Sequence, residues 1–194
     1  MGPIFLTKYS VKRLILLLSF LAACSSPAIS IDSVVTAQPY IGLQERSHRA
    51  ELKQLLDIDP VRTEWCAAFV NSVLEIDGIP NLNNQIEYPP LMARSFLYWG
   101  DRVDPADIQR GDVVVFPRGT QGWQGHVGFY VDTQIHNGRE YWIVLGGNQS
   151  NAVNITRISK DRCLGATWPK TFDKPTKRLT KMKAGSIPRT TNEF

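Results

Sequence analysis

The chain has 194 residues, a formal net charge of +4, 21% charged residues and three cysteines. About 170 residues remain once an N-terminal targeting segment is set aside, enough for one well-filled core and too few for two domains of ordinary size. Three of the basic residues, Lys8, Lys12 and Arg13, belong to that segment, and removing them takes the net charge from +4 to +1, so no nucleic-acid partner is expected.

Those three residues precede the apolar run LILLLSFLAA and then CSS, the order found in secretory signals. The run is short for a bilayer span. Its end, LAAC from Leu21 to Cys24, resembles the lipobox of bacterial lipoproteins. The resemblance implies a signal peptide over 1–23, lipidation of Cys24 and a membrane anchor. With Ser25 and Ser26 next, it also implies attachment to the outer membrane facing the periplasm. Residues 24–40 are small, polar and interrupted by proline, as in a tether. Residues 173–194 are Lys-rich, lack a period and read as a basic disordered tail. The folded domain is expected over 41–172.

Within it, GLQERSHRAELKQLLDID sets Leu43, Leu52, Leu55 and Leu56 among charges, which predicts one or two short amphipathic helices. In the next helix Thr63 is the expected N-cap and Glu64 lies in the first turn, while Cys66, Phe69, Val70, Val73 and Leu74 follow an apolar 3.6-residue period. DGIP stops it. LMARSFLYWG predicts a third helical stretch closed by Gly100. From Arg110 onward short β-rich runs alternate with turns: DVVVF, HVGFYV, YWIVLGG, AVNITRI and LGATW. Helices first and closely spaced strands afterward predict an α+β domain with N-terminal helices packed on an antiparallel sheet.

Chemistry concentrates on few residues. With Thr63 as N-cap, Cys66 is the third helical residue, where unpaired N–H groups and the helix dipole favour a thiolate. Of the three histidines, His126 opens a strand directly after the glycine-rich loop RGTQGWQG and is the candidate base. A three-residue HNG loop after that strand sets His126 opposite Asn148; a two-residue Asn-Gly turn sets it opposite Gln149. Both registers are open to the sequence. In the first, Cys66, His126 and Asn148 are the nucleophile, base and orienter of thiol acyl transfer. A Cys66–Cys163 disulfide is the bland alternative. No pair of cysteines or histidines has metal-ligand spacing, so neither metal nor cofactor is expected.

The motifs EWCAAFV, RGDVVVF, GHVGFYV and LGGNQ, in this order, resemble the CHAP amidohydrolase/peptidase family within the NlpC-type papain-like clan, over residues 42–169. The resemblance implies a papain-like fold in a monomer, with Cys66 as nucleophile and His126 as base acting on amide bonds of the peptidoglycan peptide stem or cross-bridge. One position departs from the pattern. Many members carry a glutamate two residues before the asparagine, where this chain has Gly146, which leaves the third catalytic residue undecided. A non-catalytic peptidoglycan- or partner-binding lipoprotein on the same fold is the alternative, and an acyltransferase differs only in whether water or an amine resolves the thioester.

Overall fold

A computed structural model describes residues 31–169 other than residue 86. The lipidation candidate Cys24, the signal segment and the basic tail lie outside the described residues. The helices are α1 (Ser33–Ala37), α2 (Arg49–Leu56) and α3 (Cys66–Ile76). The strands are β1 (Asp101–Val103), β2 (Val113–Pro117), β3 (Gly125–His136), β4 (Arg139–Gln149), β5 (Ala152–Ser159) and β6 (Gly165–Trp168). The strands form one antiparallel sheet in the order β1-β6-β2-β3-β4-β5. The chain adopts the expected α+β class, with N-terminal helices and an antiparallel sheet.

Each face of the sheet carries its own apolar cluster. On one, α3 buries Cys66, Phe69, Val70 and Val73 against Val113, Val115, Val127, Phe129 and Leu145. On the other, Val114, Phe116, Tyr130, Trp142 and Val144 pack together. Alternation along β2, β3 and β4 sends successive side chains to opposite clusters, which is the period-2 signal the sequence carries. Gly147 permits the helix to approach: a Cβ there would lie 2.6 Å from Phe69 Cβ and 2.7 Å from the Trp65 ring.

Four local expectations change. Residues 32–40, read as tether, belong to the folded unit: Val34 and Ala37 are fully buried, Arg110 pairs with Asp32 at 2.7 Å, and Ser33 Oγ donates to Asp77 at 2.6 Å at the end of α3. The Gln38–Pro39 step is compatible with this, because it forms a 3-10 turn directly after a short helix that Asp32 caps at Val34 N. LMARSFLYWG forms only a 3-10 helix, Ala93–Leu97. Gly100 is not its cap but a close-packing site, because a Cβ would stand 2.2 Å from the Trp168 carbonyl oxygen where β1 joins β6. Finally, α3 starts at Cys66 with Trp65 in the cap position and no side-chain cap, so Thr63 does not cap it.

The β3–β4 hairpin reconciles two registers. Asn137 and Gly138 have φ of 51° and 71° and make a two-residue turn, with His136 opposite Arg139. An irregularity between Tyr130 and Asp132 then takes up one residue, so that Phe129 faces Leu145, as a three-residue loop would have placed it.

Candidate active site

The site forms where the start of α3 meets the start of β3 and the end of β4. Helical phase and close packing bring Cys66 inward, to 4% exposure. Its Sγ lies 4.0 Å from the Gly125 carbonyl oxygen, and the backbone N–H groups of Val127 and Ala67 act on it. The thiol thus rests on the strand backbone on either side of His126. His126 itself is 3% exposed and pairs across the strands with Phe116.

Gln149, not Asn148, holds the imidazole. Its Oε1 is 3.0 Å from His126 Nε2. The amide's orientation is determined by its other bonds: Gln149 Nε2 donates to Asn154 O at 2.7 Å and Asn154 Oδ1 at 2.9 Å, and Asn154 Nδ2 returns a bond to Gln149 O at 2.7 Å. Oε1 is therefore the acceptor, Nε2 carries the imidazole proton, and Nδ1 is the nitrogen with the lone pair.

Asn148 is excluded from this role by its backbone. At φ 56° it is left-handed, and the β4–β5 pairing is irregular between Gly146 and Gln149. Such a kink breaks side-chain alternation and re-aims the residues beyond it. The Asn148 Nδ2 donates instead to Glu64 Oε2 at 2.6 Å, while its carbonyl accepts from Arg118 Nη2 at 3.1 Å. The turn chemistry of GGNQSN carries a signal for this, since asparagine tolerates positive φ and Ser150 and Asn151 share it. Period-2 counting alone could not see it.

Gly146 explains how glutamine fits. A Cβ on it would stand 3.1 Å from Gln149 Oε1 and 3.4 Å from His126 Nε2. Gln149 thus occupies the space beside the imidazole that a side chain at 146 would claim.

Electrostatics set both candidate groups neutral. Burial pushes the Cys66 thiol up from its ordinary value, more than the Arg118 guanidinium and the two backbone N–H groups pull it down, and Glu64 adds to the rise. The expected helix-start thiolate is overridden by desolvation. Burial likewise brings His126 down to about 4, helped by Arg118 and opposed by the Gln149 bond. Arg118 and Glu64 are thus site residues that motif reading missed; Arg118 lies in a loop, where neither period nor spacing marks it.

Cys163 stays away. It packs against the cluster on the opposite sheet face from Cys66, and both are free thiols. Among the described residues no group of three or more His, Cys, Asp or Glu side chains is placed to hold a metal ion. No protein-family model matches the sequence, and no curated protein does.

Proposed function

We propose that the chain is a Cys–His amidohydrolase of papain-like fold that cleaves amide bonds of peptidoglycan from a lipid anchor at Cys24. The observation that supports this best is the His126–Gln149 pair: a buried side-chain amide, itself locked by Asn154, fixes the imidazole tautomer on the strand whose backbone meets the Cys66 sulfur. The four ordered motifs supply the cell-wall amide as substrate class.

In this mechanism His126 Nδ1 takes the Cys66 proton as sulfur attacks the carbonyl carbon, because both groups start neutral. The tetrahedral intermediate collapses to a thioester as the imidazolium gives its proton to the departing amine. Water, deprotonated by the same nitrogen, then releases the acid. Gln149 accepts the Nε2 proton's hydrogen bond throughout and orients the ring without taking charge.

One observation favours the non-catalytic reading: both reacting side chains are almost fully buried and neutral at rest. Purified sacculi incubated with the chain lacking residues 1–23, with released fragments identified by mass spectrometry, separate the two. New amino termini or free lactyl groups support the hydrolase. Intact sacculi support the binding module.

A further inference from the structure

Arg118 stands next to the site with one of its donors unused. It follows Pro117, which pairs with Gly125, and Gly125 is the residue whose carbonyl touches the Cys66 sulfur. Its Nη2 is fixed to the Asn148 carbonyl oxygen at 3.1 Å. Its Nη1 is buried and has no hydrogen-bond partner among the described residues. The acid nearest in this chain of contacts, Glu64, is engaged by the Asn148 amide. A buried, unmatched N–H on a charged group is costly, and guanidinium donors are matched best by carboxylates.

The geometry points to Arg118 as a specificity residue that binds a free carboxylate of the substrate, carried on the residue adjoining the scissile amide. This rests on the amidohydrolase reading and narrows it: the preferred substrate is a peptide whose carboxylate lies beside the cleaved bond, and its amidated counterpart is a poor one. Nη1 is buried in the free chain, so entry of the carboxylate requires a local rearrangement around the guanidinium. Because the carboxylate is present in ground state and transition state alike, its loss weakens binding rather than slowing the bound complex.

The test is calorimetric titration of the Cys66→Ala chain with two peptides that differ only in a free carboxylate or a primary carboxamide beside the scissile amide. The carboxylate peptide is expected to bind at least about tenfold more tightly. Arg118→Gln in the same background erases the preference, and Arg118→Lys, which keeps the charge without the planar fork, retains part of it. Equal affinities for the two peptides in the Arg118-containing chain, or binding of neither, overturn the proposal, and this comparison needs no Arg118 variant to fold. Turnover by the wild-type chain is read separately. Cleavage of both peptides with equal KM leaves the hydrolase standing and removes the Arg118 assignment. A carboxylate preference without any cleavage keeps the binding site and removes the hydrolase.

Discussion

Gln149 Oε1 and His126 Nε2 lie 3.0 Å apart in the space that a side chain on Gly146 would need. The pair fixes which imidazole nitrogen carries the proton, and it does so with an amide one residue further along β4 than simple alternation puts it.

Gln149→Ala is therefore expected to slow turnover by roughly one to three orders of magnitude, equivalent to about 1.5–4 kcal/mol of transition-state stabilisation. Asn148→Ala, which removes the bond to Glu64 and leaves alanine at a positive φ but keeps Gln149 on the imidazole, should cost turnover markedly less. Steady-state kinetics on soluble wall fragments decides between them, and a larger loss for Asn148→Ala contradicts the assignment.

The two neighbouring glycines should fail differently. Gly147→Ala drives a methyl against Phe69 and Trp65 and is expected to destabilise the fold by about 1–3 kcal/mol, read from urea unfolding midpoints. At Gly146 the nearest atoms belong to the Gln149 side chain at 3.1 and 3.3 Å, which can shift. Gly146→Ala should leave stability closer to wild type and instead lower kcat, because Gln149 is displaced from His126.

Stability should fall as the pH drops from 6.5 towards 4. His126 is held down to about 4 by burial, so over that interval the unfolded chain binds a proton that the folded chain does not. The penalty is absent above 6.5 and reaches up to about 3 kcal/mol near pH 4, since each pH unit separating the folded and unfolded pKa values is worth about 1.4 kcal/mol. Denaturant unfolding of wild type and His126→Gln across that range isolates it. The variant should show a shallower slope, and parallel slopes would contradict the buried neutral imidazole.

Much of this arrangement is legible in the sequence. Cys66 at a helix start, His126 at the head of a strand and the succession of strands come from a 3.6-residue period, turn residues and alternation, all of which act locally. Of two compensating irregularities in the hairpin, the two-residue turn is one of the two loops the sequence leaves open, and the kink that offsets it is not legible. The Asn137–Gly138 turn shifts the hairpin by one residue, and the kink at Val131 shifts it back, so neither simple register holds along the whole pair. A third irregularity, at Asn148, exchanges the roles of Asn148 and Gln149. Arg118 and the burial of residues 32–40 depend on contacts distant in sequence, which no local period records. The thiol's charge state escapes for a related reason: the helix start favours a thiolate, but desolvation at 4% exposure outweighs it.

That charge state has its own consequence. Burial raises both Cys66 and Cys163, so neither should react rapidly with iodoacetamide at a pH of about 6. Substrate peptides that open the site should accelerate labelling of Cys66 and leave Cys163 unchanged, as followed by peptide mass mapping. Rapid labelling of Cys66 in the free chain under those conditions would contradict the neutral resting site.

The proposed chemistry requires Cys66 to form a bond to the substrate acyl group. Rapid acid quenching of the chain with soluble wall peptides, followed by intact-mass and fragment-mass measurement, looks for that bond directly. The predicted result is an acyl adduct on Cys66, labile to hydroxylamine, that is absent from Cys66→Ala together with all peptide cleavage. Undiminished cleavage by Cys66→Ala would contradict nucleophilic catalysis by this thiol.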